Sequence, residues 1–223
     1  MIDLSGRVIV LDLDDTLYLE RDYARSGFEA IGAWIEERHA IRGFGGACQD
    51  LFDKGIRRAI FDHALADLKQ ADRMPSVNEL VEVYRSHKPQ IRLAPDAAHL
   101  LRRLRGVPGA LITDGPLICQ RNKTEALRLG NYLKRIILTA SLGPDCGKPH
   151  PLAFELVEEW SRRAPEDHVY IADNPTKDFV EPRRRGWLTV QIQRPERVHF
   201  ELAPTPAHTA VYAIESLDEI RVR

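Results

Sequence analysis

The sequence predicts an α/β protein, with an open, mostly parallel sheet carrying helices on both faces and an all-helical module inserted near its start. Three observations predict this. Short apolar, β-branched runs recur along the chain, helical periodicity fills the stretches between them, and from Tyr18 to Ile91 the strand-like runs stop while the helical patterns continue. Continuous apolar runs read as strands buried on both faces, and strand alternating with helix reads as a parallel sheet.

Val8-Ile9-Val10-Leu11 is the first such run, with Gly6 before it and acidic residues after it. Ala110-Leu111-Ile112, Arg135-Ile136-Ile137-Leu138, His168-Val169-Tyr170-Ile171 and Leu188-Thr189-Val190-Gln191-Ile192 follow, and Tyr212 with its neighbours adds a short sixth. A helix opens at Pro95-Asp96, carries Leu100, Leu101 and Leu104 on one face and stops at Gly106. Others are expected from Pro116 to Leu129, from Pro151 to Arg163 with Phe154, Val157 and Trp160 at helical spacing, and from Thr176 to Gly186, where Pro182 breaks or restarts the pattern. Within the insert, Phe28, Ile31 and Ile35 share a face. Leu51, Phe52, Ile56, Ile60, Leu65 and Leu68 form a longer stripe, and Ser76-Val77-Asn78-Glu79 has the spelling of a capping box. The expected boundaries are a core of residues 1–17 and 92–223 and a helical unit of residues 18–91.

Apolar residues make up 43% of the 223 and charged residues 29%, an ordinary globular balance. With a formal net charge of -1, no general attraction to nucleic acid or anionic membrane follows. The clusters Arg102, Arg103, Arg105 and Arg183, Arg184, Arg185 read as solvated helix faces. Cys48, Cys119 and Cys146 form no C-x-x-C pair and fit no closed disulfide framework. No visible leader and no apolar run of membrane-spanning length complete the expectation of a cytoplasmic protein.

Ligands of open parallel sheets bind beyond the carboxyl ends of the strands. The first strand is followed by Asp12-Leu13-Asp14-Asp15-Thr16, the second by Thr113-Asp114-Gly115, and the region beyond the third holds Gly147-Lys148-Pro149. The fourth runs into Asp173-Asn174-Pro175-Thr176-Lys177-Asp178. Carboxylates, a hydroxyl and a lysine thus converge on one edge. Clustered carboxylates repel unless a cation neutralises them, and an all-oxygen donor set with few protein ligands favours magnesium. With that charge balanced, a carboxylate can attack a phosphoryl group while a lysine stabilises its oxygens.

These segments resemble the four motifs of the haloacid dehalogenase superfamily, in order. Val8 to Leu17 is similar to the first, Leu111 to Pro116 to the second with Gln120 and Lys123 also family-like, Gly147 to Pro151 to the third, and Tyr170 to Asp178 to the fourth. The resemblance implies a three-layer Rossmann-like core with a helical cap inserted after the first motif, acting as a phosphatase on a small phosphorylated metabolite with Mg2+ as cofactor. It implies Asp12 as nucleophile and metal ligand. Asp14 would be the general acid/base, lending its carbonyl to the metal. Thr113 would bind a phosphoryl oxygen, Lys148 would stabilise nucleophile and transition state, Asp173 would ligate the metal, and Asp178 would hold a metal water or Lys148. Thr16, Asp114 and Gly115 would line the substrate side. Asp114 stands where the family often has Asn, bringing an extra negative charge to the pocket. His150 reads as a structural loop residue, and Arg42, Arg57, Arg58 and His63 are placed only by location to meet the rest of a substrate. A mutase or a dehalogenase of the same superfamily, a binding protein on this fold and a nucleic-acid end phosphatase are the competing readings. A dehalogenase needs neither Asp14 nor the Asp173 and Asp178 pair, and a binding protein is expected to have lost a nucleophile, acid or lysine that this chain retains.

Overall fold

The computed structural model describes residues 1–67 and 75–222. The elements run β1 (Ile2–Asp3), β2 (Val8–Leu11), α1 (Glu20–His39), α2 (Phe44–Asp53), α3 (Ile60–Ala66), α4 (Val77–Ser86), α5 (Pro95–Arg103), β3 (Gly109–Thr113), α6 (Leu117–Ala126) and β4 (Arg135–Leu138). Then come α7 (Leu152–Ser161), β5 (His168–Ala172), α8 (Val180–Arg184), β6 (Leu188–Ile192), β7 (Tyr212–Ile214) and β8 (Ile220–Arg221). Residues 1–20 with 92–223 form one compact unit and residues 21–91 a second. Tyr18 to Glu20, expected in the helical module, therefore lie in the first unit. Among the described residues no helix is long and apolar enough to cross a membrane.

The first unit is built on a six-stranded, all-parallel sheet of order β4-β3-β2-β5-β6-β7. From β2 the chain moves outward through β3 to β4 and then returns to lay β5 on the other side of β2. That reversal puts a crevice beyond the carboxyl ends of β2, β3 and β5. Every residue of β2 is buried, and the two-residue period explains how. Val8 and Val10 face one side with Ala110, Ile112, Tyr170 and Ala172, against Ala153, Phe154 and Val157 of α7. Ile9, Leu11, Leu111, Val169 and Ile171 alternate with them and are equally buried. Each large side chain so buried contributes about 1.5–3 kcal/mol, so the strands are anchored from both faces and their ends are rigid mounts. A separate two-stranded pairing of β1 with β8, which the sequence did not signal, joins the two ends of the unit.

Three local expectations need correction. The helix expected from Thr176 starts only at Val180, and Pro182 sits inside its first turn, where the missing N–H has no acceptor to lose. The stripe from Leu51 onward is not one helix but α2 and α3, broken at residues 54–59, where Gly55 takes a left-handed φ of 86°. Leu68 of that stripe lies outside the described residues. The arginine clusters are only partly solvated: Arg185 pairs with Glu155, Glu158 and Glu181, Arg183 donates to the carbonyls of Pro206 and Thr209, and Arg103 donates to that of Ile220.

The second unit packs its own small core. Phe28, Ile31 and Ile35 are buried on α1, and α4 buries Leu80 behind the capping box of Ser76 and Glu79. Gly32 and Gly45 let α1 and α2 approach closely, since a Cβ on Gly45 would stand 2.4 Å from the Phe28 carbonyl oxygen.

Candidate active site

The ends of β2, β3 and β5 border a cavity of about 110 Å³. Asp12, Asp14, Thr113, Asp114 and Asp173, all singled out from sequence, line it, and so do Glu20, Asn174, Lys177 and His199, which were not. Asp12 leaves the end of β2 with its N–H donating to the Ile171 carbonyl at 2.9 Å, so the ladder of β2 and β5 continues into the site. Asp173 follows β5, the neighbouring strand, and Thr113 ends β3 on the other side.

Lys148 lies beneath the cavity with its side chain wholly buried. Three oxygens surround its ammonium: Asp12 Oδ1 at 2.6 Å, Asp178 Oδ1 at 2.8 Å and the Tyr170 hydroxyl at 2.8 Å. Burial opposes the charge on Lys148, but the Asp12 and Asp178 carboxylates outweigh it and hold the ammonium well above its usual range. Burial likewise pushes the Asp12 carboxyl up to about 7 against the pull of Lys148. It raises Asp173 well above the carboxylate range, with the Asp178 and Asp12 charges adding to it.

Asp12, Asp173 and Asp178 bring carboxylate oxygens within 4.8 Å of one another, all three buried. Lys148 supplies one positive charge for three buried carboxyls, so full ionisation of all three leaves negative charge in excess, which is why burial and their mutual repulsion push Asp12 and Asp173 up. An all-oxygen set that becomes net negative on ionisation fits a hard divalent cation and suits magnesium, which takes few protein ligands and keeps waters.

Asp14 is caged. Lys123 Nζ donates to its Oδ1 at 2.7 Å, Gln120 Nε2 to its Oδ2 at 2.9 Å, and the Tyr18 hydroxyl closes on Oδ1. Burial pushes Asp14 up, yet Lys123 and the other donors hold it below the ordinary range, so the cage contains a carboxylate. Gly115 makes the cage possible. Its φ is 133°, and a Cβ there would stand 2.9 Å from Gln120 Nε2.

The additional charge of Asp114 is absorbed within the site. Its Oδ1 accepts from Thr139 Oγ1 at 2.8 Å and from the Lys148 N–H at 3.2 Å, while Oδ2 faces Lys177 Nζ at 3.4 Å. Burial acts to raise Asp114, but the Lys148 and Lys177 charges and the Thr139 hydroxyl hold it below its ordinary range. His199 stands between Glu20 and Glu201, each at 3.4 Å, which raise it to about 9. Asp15, in a left-handed turn at φ 50°, ties this side together by accepting from the N–H groups of Glu20 and Val198.

Two of the residues expected on the substrate side do not line the cavity. Thr16 is fully buried and does not line the cavity, and its carbonyl accepts from Arg194 at 2.7 and 3.2 Å. Gly115 positions Gln120 and does not line the cavity. His150 accepts the Leu152 N–H at the start of α7, as a structural residue does. Of the residues missed, Tyr18 carried a legible signal, since it lies four residues past Asp14. Lys177 had one too: a lysine beside Asp178 opposite an unusual carboxylate at Asp114. Arg194 and His199 follow β6 with no local pattern.

Comparison with known proteins agrees with this geometry. The family model described as haloacid dehalogenase-like hydrolase matches residues 7–179. A phosphoserine phosphatase of Thermus thermophilus is 27% identical over 174 residues, which cover 77% of this chain and 61% of that protein, so the chain spans less than two thirds of the curated relative it matches. Among solved structures, the HAD-family protein YfnB of Bacillus subtilis, in a magnesium-bound form, superposes with a TM-score of 0.67 at 19% identity, covering 96% of each chain. A protein of Haemophilus somnus described as a predicted phosphoglycolate phosphatase gives 0.64 at 17% identity, covering 97% of this chain and 96% of the other.

Proposed function

The chain belongs to the haloacid dehalogenase-like hydrolases, and from that membership we propose that it is a magnesium-dependent phosphatase of a small phosphorylated metabolite, working through a phospho-aspartate on Asp12. The observation that carries this reading is the Lys148 ammonium seated between Asp12 and Asp178 at 2.6 and 2.8 Å, with Asp173 beside them and Asp14 two residues on. Attack on carbon, as in a dehalogenase, needs neither Asp14 nor the Asp173 and Asp178 pair. The phosphoserine phosphatase relative supports a small substrate, and the helical unit inserted after the first motif is read as the cap that selects it.

An Asp12 carboxylate oxygen attacks phosphorus, and the bond from phosphorus to the ester oxygen breaks. Asp14, held as a carboxylate in the resting site, takes up a proton as the substrate binds and passes it to the leaving oxygen. Asp14 then removes a proton from water, which attacks the phosphorus of the acyl phosphate, releasing phosphate and restoring Asp12. The Lys123, Gln120 and Tyr18 cage holds Asp14 in the form that accepts this proton. Thr113 binds a phosphoryl oxygen, and Lys148 orients Asp12. Magnesium held by Asp12, Asp173 and the Asp14 carbonyl, with Asp178 behind, would supply the positive charge that lets an anionic phosphoryl group approach a carboxylate.

Phosphate release across a panel of phosphorylated metabolites, phosphoserine and phosphoglycolate included, tests the reading with magnesium and with excess chelator. Asp12→Asn keeps the shape and removes the nucleophile, so turnover is expected to fall on the order of 10⁴-fold or more. A folded Asp12→Asn variant near the wild-type rate would sink the mechanism.

A further inference from the structure

We propose that Tyr170 is a positioning residue for the reaction: its hydroxyl, together with Asp178, fixes the Lys148 ammonium so that the remaining N–H is presented at Asp12, where the phosphoryl group arrives. The inference rests on the reading of this site as a phosphatase centre and adds to it a residue that lies off the cavity. An ammonium carries three protons, and Lys148 Nζ has three oxygens around it: Asp12 Oδ1 at 2.6 Å, Asp178 Oδ1 at 2.8 Å and the Tyr170 hydroxyl at 2.8 Å. Of these three residues Asp12 lines the cavity, and Asp178 and Tyr170 do not. Two contacts are therefore made away from the cavity, and they decide where the third N–H points.

The hydroxyl is itself fixed. Tyr170 is fully buried in β5, on the core face with Val8, Val10, Ala110 and Ile112, and its ring meets that of Phe154 edge to face at 5.4 Å and 81°. Close packing of this kind holds the ring in one place. The hydroxyl then reaches the Ile112 carbonyl at 3.3 Å as well as Lys148 Nζ. A carbonyl can only accept, so the phenolic proton goes to Ile112 and the lone pairs face the ammonium. Ile112 precedes Thr113 on β3, so one hydroxyl ties the lysine to the strand end that carries Thr113. Burial pushes the Tyr170 phenol well above its usual range, so the group is neutral. The site already gathers three buried carboxyls near one lysine. A further carboxylate in place of Tyr170 would add to that charge, and an apolar side chain would leave an N–H of Lys148 unpaired in the interior. A neutral hydroxyl avoids both.

The experiment measures kcat and KM for the best phosphomonoester, well below the melting temperature, together with thermal unfolding, on the full chain with magnesium present. The proteins are wild type, Tyr170→Phe, Lys148→Met and the double variant. Tyr170→Phe keeps the ring and its packing and removes one oxygen. Its kcat is expected to fall roughly five- to a hundredfold while KM stays within about twofold. A merely structural hydroxyl would lower the melting temperature and leave the kcat of the folded enzyme unchanged. In Lys148→Met the hydroxyl has no cation to hold, so adding Tyr170→Phe is expected to lower the melting temperature by less than about half of the shift it causes in wild type. Should Tyr170→Phe not fold by itself, the double variant decides: melting close to Lys148→Met supports the proposal, and failure to fold refutes it. The proposal is overturned if Tyr170→Phe keeps kcat within about twofold of wild type, if KM rises as much as kcat falls, or if the two substitutions add in melting temperature. Wild-type protein that hydrolyses no phosphomonoester would refute the phosphatase reading instead, and the melting comparison would still decide whether Tyr170 holds Lys148.

Discussion

Replacing Lys148 with Met removes the positive charge buried between Asp12 and Asp178 while keeping most of the side-chain volume. Taking one partner from a buried ion pair leaves an uncompensated buried charge and costs about 3–5 kcal/mol. In a chain of this length each kcal/mol lowers the melting temperature by about 2–4 °C, so Lys148→Met is expected to melt roughly 6–20 °C below wild type. The assay is thermal unfolding by circular dichroism at neutral pH with chelator present, so that no divalent ion takes over the lysine's charge. The double variant Lys148→Met, Asp178→Asn separates charge from packing, because removing one of the stranded carboxylates is expected to return about 0.5–3 kcal/mol. A Lys148→Met variant melting within about 2 °C of wild type, or a double variant less stable than the single, would refute the electrostatic account of this cluster.

Two further outcomes follow from the same geometry. Magnesium at about a hundred times its dissociation constant is expected to stabilise the wild-type protein by about 2.7 kcal/mol, and Asp173→Asn should lose most of that gain, as melting with and without chelator will show. Asp96 accepts from Arg194 at 3.0 Å and from the Leu217 N–H at 2.8 Å, and Arg194 in turn holds the Thr16 carbonyl, so Asp96→Ala is expected to cost about 3–5 kcal/mol in chemical denaturation and to loosen the loop after β2. Burial opposes ionisation of Asp96, but Arg194 and the Leu217 N–H hold its carboxyl below the ordinary value, so its contribution is complete above that value and is lost as the pH falls through the depressed one. A stability profile in acid that is identical for wild type and Asp96→Ala would contradict this.

The sequence by itself determined the six strands of the main sheet, the edge on which the chemistry lies and the helical nature of described residues between Tyr18 and Ile91. Those features are local. A strand buried on both faces must be continuously apolar, as Val8–Leu11 and His168–Ala172 are, and the polar residues that follow such a strand can only emerge at its carboxyl end. Asp12, Asp14, Thr113, Asp114 and Asp173 were therefore legible as neighbours before any coordinates. Only the tertiary structure decided which donors meet which acceptors. Lys148 and Asp12 are 136 residues apart in the chain, and Arg194 and Thr16 are 178 apart. No periodicity records that Lys148 meets three oxygens, that Lys177 faces Asp114, or that Thr16 does not line the cavity. The physical reason is that propensity and patterning act over a few residues, whereas a hydrogen bond or ion pair is fixed to within a fraction of an ångström by the packing of segments brought together from the whole chain.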